Sequence, residues 1–247
     1  MMDRLYIVAS HKDISTEELS YPYFEICNSD CGNRPNGYKK YDDSYPINIS
    51  DKNKAYCELS PLYSIWKNDF NYKMVGLGHY RRLLNFDPKV NQQSFFEQKF
   101  ENRKSVSEYL SKHMQVSDNL FITSTPFNVG SILEQFTIFH PQLIDLFKHS
   151  FSVFNKQNSN SPSAENFFRN SGQLHTCNMF YGSRDLVDQW CNQIFNLLFE
   201  LEKDVPSDLD GYQSRWAGFF AERYLSFFIS QISDKAKIIY RPVISFD

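Results

Sequence analysis

Short apolar runs that alternate with longer amphipathic stretches are the feature that most limits how this chain can fold. Arg4 to Ser10 (RLYIVAS) is rich in apolar and β-branched residues, which is typical of a strand buried on both faces of a parallel sheet. Further runs of this kind are MVGLGH at 74–79, NLFITST at 119–125, LHTCNMFYG at 174–182 and KIIYRPV at 237–243. Strands that alternate with helices predict an α/β fold with a mostly parallel central sheet flanked by helices.

Apolar residues at helical spacing predict the intervening helices. In KNKAYCELSPLYSIWKN (52–68), Pro61 either kinks one helix or follows Ser60 as the N-cap of a second helix, and the second arrangement costs less. Ser105 and Glu108 have capping-box spacing ahead of a helix at 106–114. The other helices are predicted at 130–154, divided at Pro141, at 184–203 and at 212–232.

Two polar segments separate these elements and predict flexible loops. Residues 27–51 are rich in Asn, Gly, Pro, Asp and Tyr, and residues 155–173 form a low-complexity polar stretch. A chain of 247 residues, 41% of them hydrophobic, can bury a substantial core as one unit. The sequence therefore predicts a single domain over residues 1–247.

Charge and hydropathy exclude several functional classes. The 26 basic and 29 acidic residues are mixed in short runs, so no cationic face for a nucleic acid is expected. No stretch approaches the ~20 apolar residues of a spanning helix, and the N-terminus does not resemble a signal peptide. Cytoplasmic localisation is the expectation.

Five cysteines are present, at positions 27, 31, 57, 177 and 191. Cys27 and Cys31 are close in sequence, but they lack the second Cys or His pair of a zinc site. Free thiols are therefore expected.

The segment GLGHYRR at 76–82 places polar and cationic groups at the end of a predicted strand. It has neither G-x-G-x-x-G spacing nor the Gly-Lys-Ser/Thr of a phosphate loop. His79, Arg81 and Arg82 could hold a diphosphate, because guanidinium groups bind phosphate oxygens in a bidentate manner. The alternative is that Arg81 and Arg82 pair with acidic residues on the surface.

Four segments, taken together and in order, resemble a bacterial family of capsular-polysaccharide and lipopolysaccharide glycosyltransferases, long catalogued only as a domain of unknown function. The family pattern reads I-S-x-K-N-x-x-Y-C-E-L-x-x-x-Y-x-x-W-K-N, then G-L-x-H-Y-R-R, N-M-F and R-x-x-G-F-x-x-E-R, and the resemblance spans residues 4–231. The matching positions are Ile49, Ser50, Lys52, Asn53, Tyr56, Cys57, Glu58, Leu59, Tyr63, Trp66, Lys67, Asn68, His79 to Arg82, Asn178 to Phe180, Arg215, Gly218, Phe219, Glu222 and Arg223.

The resemblance implies a GT-A-like, Rossmann-type fold that binds a nucleotide-sugar. In this interpretation His11, Asn53 and Glu58 surround the donor, together with His79, Tyr80, Arg81 and Arg82 at the diphosphate. Asn178, Arg215 and Arg223 are expected at the sugar or the acceptor.

The catalytic acidic residue of an inverting enzyme is expected near the start of the helix at 212–232. Asp210 is the first choice, followed by Asp208 and Glu222, and the alternative is that Asp208 or Asp210 only caps that helix. Asp208-Leu209-Asp210 is the D-x-D triplet of this chain. One such triplet is expected by chance, so a requirement for Mn²⁺ or Mg²⁺ stays open, and cationic side chains at 79–82 could replace or assist a metal.

The function expected from the resemblance is transfer of a sugar from a UDP-linked donor to a hydroxyl of a growing capsular, O-antigen or exopolysaccharide glycan. Galactofuranose and galactose are the candidate sugars, and a lipid-linked acceptor would place the enzyme at the inner face of the cytoplasmic membrane. The alternative is a catalytically silent module that binds a nucleotide or a glycan. The missing G-x-G-x-x-G argues against a nicotinamide-dependent enzyme.

Overall fold

The computed structural model describes residues 2–11, 19–27, 41–68, 71–90, 96–100, 102–159, 161–209 and 211–246. The strands are β1 (Met2–Ser10), β2 (Tyr23–Cys27), β3 (Tyr72–His79), β4 (Arg82–Leu84), β5 (Phe96–Phe100), β6 (Leu120–Ser124), β7 (Phe127–Asn128), β8 (Gln173–Leu174), β9 (Phe180–Ser183), β10 (Lys237–Arg241) and β11 (Val243–Phe246). The helices are α1 (Asn53–Tyr56), α2 (Leu59–Asn68), α3 (Arg103–Ser111), α4 (Ile132–Phe139), α5 (Ile144–Gln157), α6 (Ala164–Asn170), α7 (Arg184–Leu201) and α8 (Trp216–Ile232).

A mostly parallel central sheet organises these elements, as the alternation of strands and helices predicts. β3 lies in the middle, with β1 and then β2 parallel to it on one side and β9, β6 and β10 on the other. β9 is antiparallel to both β3 and β6, whereas β6 and β10 are parallel. The end of β3 pairs with antiparallel β4. β4 pairs with antiparallel β11, and β11 pairs with parallel β5.

The two faces of the sheet are covered by different cores. Leu5 and Ile7 of β1 contact the larger core, which is built from the helices on that face. Tyr6 and Val8 point to the opposite face, where a smaller core includes the apolar side of α3. A strand that is apolar on both faces is therefore required at β1, and this explains its uninterrupted hydrophobic run.

Glycine in β3 is required by the close approach of Tyr6. The ring of Tyr6 lies across β3, and a Cβ atom added to Gly76 would be 2.6 Å from Tyr6 Cδ2 and 2.8 Å from the backbone oxygen of Phe180. A Cβ on Gly78 would be 2.5 Å from Tyr6 Cε1. Tyr6 has no exposed surface, so it cannot move away without disturbing the smaller core.

Several predicted boundaries are wrong, because tertiary hydrogen bonds override local capping signals. The second helix begins at Leu59 with Pro61 as its third residue, and the Ser60 hydroxyl donates to buried Asp42 at 2.5 Å instead of capping. Helix α3 is capped by Asn102, whose side chain accepts from the backbone N–H of Ser105. The predicted division at Pro141 is confirmed, with a 3-10 turn between α4 and α5.

The C-terminal strand prediction needs a correction. KIIYRPV is not one strand, because Pro242 separates β10, which pairs with β6, from β11, which pairs with β4 and β5. Proline has no N–H to donate to a ladder, and this favours a break at that position.

The two predicted loops differ in outcome. Within 155–173, the loop prediction is wrong at Ala164–Asn170, which form α6, because Phe168 is fully buried against α5 and α8. In 27–51, residues 28–40 lie outside the described residues. The rest of that segment contains 3-10 turns at Asp42–Ser44 and Ser50–Lys52.

The four described cysteines, at positions 27, 57, 177 and 191, are free thiols as expected. In the part of the chain that the structure describes, no helix has both the length and the apolar character needed to cross a membrane.

Replacing Gly76 by alanine should destabilise the protein by about 1–3 kcal/mol, since the new methyl group has to displace Tyr6 or the backbone of β9. Urea unfolding would measure this free energy. Gly211→Ala is the matched control, because a Cβ at Gly211 has no atom within 4 Å. An alanine at position 76 that costs no more than one at position 211 would contradict the packing of Tyr6 described above.

Candidate functional site

A polar cavity of about 250 Å³ opens at the carboxyl ends of β1 and β3. The register pairs Ala9 with His79, so the two strands end side by side. The lining residues are Ala9, Ser10, His11, Asn53, Cys57, Glu58, His79 and Arg215. Five of the residues predicted from sequence at the donor or the acceptor, namely His11, Asn53, Glu58, His79 and Arg215, are therefore in one place.

A two-residue turn after β3 directs His79 into this cavity. Tyr80 and Arg81 form the turn, His79 pairs with Arg82 across it, and the Tyr80 N–H donates to Ala9 O at 2.9 Å. The Arg81 N–H donates to Nδ1 of His79 at 3.5 Å, which requires an unprotonated ring nitrogen. Burial, with the positive charge of Arg82 as the next contribution, lowers the pKa of His79 to about 3.

The other three residues of HYRR lie around the cavity without lining it. Tyr80 is buried in the smaller core, and its ring contacts those of His11 and His79 at centroid distances of 5.1 and 4.5 Å. The exposed Arg81 places its guanidinium 5.2 Å from the Tyr80 ring centroid. Arg82 Nη1 donates to the sulfur of Cys177 at 3.1 Å. Arg82 therefore bonds to a thiol, and it forms no ion pair with an acidic residue in the described part of the chain.

The break between α1 and α2 places Cys57 and Glu58 at the cavity. Cys57 has φ 50° and ψ −125°, a conformation that is unfavourable for a residue with a side chain. The flanking residues of the same YCEL motif point inward, since Tyr56 and Leu59 are both buried in the larger core. The backbone conformation at Cys57 thus lets the outer residues of the motif, Tyr56 and Leu59, pack in the core while Cys57 and Glu58 line the cavity.

Two consecutive left-handed residues, Cys177 and Asn178, hold two carboxylates. Their φ values are 69° and 48°. The Cys177 N–H donates to Glu222 Oε1 at 2.7 Å, and Asn178 Nδ2 donates to Glu58 Oε1 at 2.8 Å and to Gly218 O at 3.2 Å. The predicted strand at 174–182 is therefore wrong over 175–179, because these groups bond to α8 and to Glu58 instead of a neighbouring strand.

The electrostatic surroundings of Glu58 favour its protonated form. Burial raises the pKa of the Glu58 carboxyl above its ordinary value, and the negative charge of Glu222 acts in the same direction. The hydrogen bond from Asn178 and the positive charge of Arg215 oppose the rise in pKa. Glu58 therefore accepts a proton more readily than an exposed glutamate does.

Arg215 and Arg223, both predicted at the sugar or acceptor, have different surroundings. Arg215 lines the cavity, and its Nε donates to the sulfur of Cys57 at 3.2 Å. Arg223 is 2% exposed, and its guanidinium donates to Phe219 O, Glu222 Oε2 and Gln135 Oε1 at 2.8–3.1 Å. The structure therefore brings Arg215 to the cavity and packs Arg223 behind it.

Two of the three predicted catalytic acids, Asp208 and Glu222, lie within the described residues. Asp208 lies on an exposed turn, and Asp210 lies outside the described residues. Glu222 accepts from Cys177 and from Arg223, one bond at each carboxylate oxygen. Among the described residues, no group of three or more His, Cys, Asp or Glu side chains is arranged to hold a metal ion.

Much of the rest of the sequence pattern supports the scaffold. Trp66 Nε1 donates to Asp188 at 2.8 Å, which joins α2 to α7, and Lys67 lies 3.4 Å from the Trp66 ring centroid. Asn68 exchanges hydrogen bonds with the backbone of Ile47. Sequence reasoning did not select Cys177 for the site, although its position directly before the N-M-F motif could have drawn attention to it.

Comparison with known proteins gives the class of the chain. The chain belongs to the DUF4422 family, described as a domain of unknown function, whose profile matches residues 5–234. No curated protein gives a significant match. Among solved structures, the chain is similar to WbbM, described as a bifunctional glycosyltransferase in its apo form, with 19% identity and a TM-score of 0.85. The match covers 99% of this chain and 45% of that chain, so this chain spans less than half the length of WbbM.

The ring of His79 should stay neutral from about pH 8 down to about pH 5, since its pKa is lowered to about 3. NMR spectra of the histidine rings, with His79→Gln to assign the resonance, would follow this group during a pH titration. Ring chemical shifts that stay constant over this range are expected. A titration midpoint near the ordinary value of about 6.5 would contradict the described burial.

Proposed function

We propose that the chain is a glycosyltransferase that takes a sugar from a nucleotide-sugar and passes it to a hydroxyl of a growing glycan. The observation that carries this proposal is the likeness of 99% of the chain to part of a bifunctional glycosyltransferase, together with the polar cavity at the carboxyl ends of β1 and β3. Ligands of open α/β sheets commonly bind at this end of the strands. The proposal treats the chain as a single domain.

The chemistry of the lining suits a donor diphosphate. Within the described part of the chain, Arg215 uses its Nε on Cys57 and makes no hydrogen bond with its two terminal nitrogens. These donors are available for phosphate oxygens, which a guanidinium binds in a bidentate manner. His11 and His79 lie at the strand ends beside it, and a neutral His79 can donate one hydrogen bond without adding charge.

The size of the cavity indicates which part of the donor it holds. Its volume of about 250 Å³ is slightly below the usual range for ligand pockets, roughly 300–1,000 Å³. We therefore place the diphosphate and the sugar here, with Asn53 and Glu58 as partners for sugar hydroxyls. Arg81 and Arg82 at the edge add positive potential, and Arg82 is held in place by Cys177.

The reaction requires the bond between the anomeric carbon and the diphosphate to break as the acceptor oxygen attacks. Negative charge then develops on the departing phosphate, and Arg215 in the lining of the cavity is a donor that can stabilise it. A divalent ion would supply the same kind of stabilisation, and Mn²⁺ or Mg²⁺ stays open as a cofactor. An inverting course, with a carboxylate that deprotonates the acceptor, is part of this proposal.

The finer assignment follows from the resemblance in sequence. We propose UDP as the nucleotide, galactofuranose or galactose as the sugar, and a capsular, O-antigen or exopolysaccharide glycan as the acceptor. A lipid-linked acceptor would bring the protein to the inner face of the cytoplasmic membrane.

A panel of UDP-, GDP- and dTDP-sugars should identify one donor that stabilises the protein and releases its nucleotide on turnover. At about 100 times its Kd, a donor adds about 2.7 kcal/mol, which corresponds to a rise in Tm of about 5–10 °C for a chain of this length. Thermal denaturation measures the shift, and a coupled assay for free nucleoside diphosphate measures turnover, with and without EDTA.

Matched arginine variants locate the donor in the cavity. Arg215→Ala should lose most of the Tm shift, whereas Arg169→Ala should keep it, because Arg169 lies on the surface of α6 in an ion pair with Glu165. A panel with no stabilising donor would contradict the proposed function. Stabilisation without nucleotide release would favour a silent binding module.

A further inference from the structure

We infer that Glu58 is the general base that removes the proton from the acceptor hydroxyl, and that Asn178 is its positioning residue. This inference rests on the proposed function and assigns a second role to a residue placed above beside the sugar. Within the described part of the chain, Glu58 is the one carboxylate that lines the cavity. Glu58 and Arg215 line the same cavity of about 250 Å³, so a sugar and its diphosphate bound there would face both side chains.

The backbone around Glu58 is arranged in an unusual way. Cys57, directly before it, has a φ of 50°, and Asn178, which holds its carboxylate, has a φ of 48°. Such conformations are unfavourable for residues with a side chain and are concentrated at functional sites. Cys57 and Asn178 belong to different segments of the chain, and both act on the same carboxylate, one as its neighbour in sequence and the other as its hydrogen-bond donor.

The neighbouring carboxylate of Glu222 has hydrogen-bond partners at both of its oxygens. Its Oε2 accepts from the buried guanidinium of Arg223, and its Oε1 accepts from the Cys177 N–H. Arg223 is 2% exposed, so Glu222 is needed as the partner of a buried charge. Glu222 is therefore held by Arg223 and Cys177, whereas Glu58 lines the cavity, and the negative charge of Glu222 helps to raise the pKa of Glu58.

The groups that face Glu58 come from every side of the cavity. Asn178 and Arg215 stabilise its charged form, and Glu222 of α8 destabilises it. His11 and His79 at the strand ends and the adjacent Cys57 are the other titratable residues of the lining besides Arg215. Burial lowers the pKa of His79 to about 3 and raises the pKa of Cys57 to about 11, so neither group changes charge near neutral pH.

The step balances without a further reactant. The hydroxyl proton moves to a carboxylate oxygen of Glu58 as the acceptor oxygen forms its bond to the anomeric carbon. The bond from that carbon to the diphosphate breaks, and its electron pair leaves on the phosphate oxygen beside Arg215. Glu58 then loses the proton to solvent, and the sugar leaves with inverted configuration.

Steady-state kinetics of the full chain, with the donor found by the panel and a soluble glycan acceptor, test this assignment. Glu58→Gln should lower kcat by about 10²–10⁴-fold and leave the donor KM within about threefold, because a glutamine keeps the shape but cannot take a proton. Glu108→Gln is the matched control, since Glu108 lies exposed on α3 and should keep the kcat of the natural chain.

A pH profile separates the base from a structural role. In the natural chain, kcat should rise with pH through an apparent pKa above the ordinary glutamate value of about 4.3. Asn178→Gly tolerates the left-handed backbone and removes the hydrogen bond that favours the charged form, so the apparent pKa should move upward. This profile decides the matter even if Glu58→Gln does not fold.

The outcomes are distinguishable. A natural chain that transfers no sugar contradicts the proposed function. If the natural chain transfers sugar, undiminished kcat in Glu58→Gln, a change in donor KM alone, or an unmoved profile in Asn178→Gly overturns the assignment of Glu58. Loss of turnover in Asp210→Asn with normal turnover in Glu58→Gln would assign the base to Asp210.

Discussion

The parallel pairing of β1 with β3 is the contact on which the site depends. The register of Ala9 with His79 sets the two strand ends level, so that His11 and His79 reach the same cavity. This pairing is close only because Gly76 and Gly78 leave room for the ring of Tyr6 to lie across β3. Gly76 and Gly78 of GLGHYRR are thus required for the packing of the sheet, and His79, which follows them, lines the cavity.

Three residues with left-handed backbone conformations set the remaining geometry. Cys57 turns the chain between α1 and α2 and presents Glu58, while Cys177 and Asn178 hold Glu222 and Glu58 by separate hydrogen bonds. These unfavourable conformations occur where the charges of two carboxylates, Glu58 and Glu222, influence each other. Glu222 forms an ion pair with buried Arg223, and burial raises the pKa of Glu58.

The sequence predicts the parts of the fold that depend on strong local patterns. β1, β3 and β6 are apolar on both faces and are confirmed, and so is the division of α4 from α5 at Pro141. The predicted caps at Ser60 and Ser105 are wrong. Ser60 donates to Asp42 instead, and Asn102 caps α3; neither Asp42 nor Asn102 is part of the predicted capping patterns. A strand as short as β4 has no sequence pattern of its own and is defined only by its pairing with β3 and β11.

In the candidate site, too, motif residues could be predicted from sequence, whereas contacts between distant segments could not. The motif residues Asn53, Glu58, His79 and Arg215 line one cavity, and their roles toward a donor or an acceptor stay predictions. The burial of Arg223 could not be predicted, because its partner Gln135 is 88 residues away in sequence. The break of the predicted strand at Cys177 and Asn178 likewise depends on hydrogen bonds with Glu222 and Glu58 from distant segments.

A crystal structure of the protein with UDP would test the central claim most directly, because that claim is that the cavity between β1, β3 and Arg215 receives the donor. The diphosphate is predicted within hydrogen-bonding distance, about 2.7–3.2 Å, of the terminal nitrogens of Arg215, next to His79. UDP bound elsewhere on the chain, with this cavity holding only water, would contradict the account.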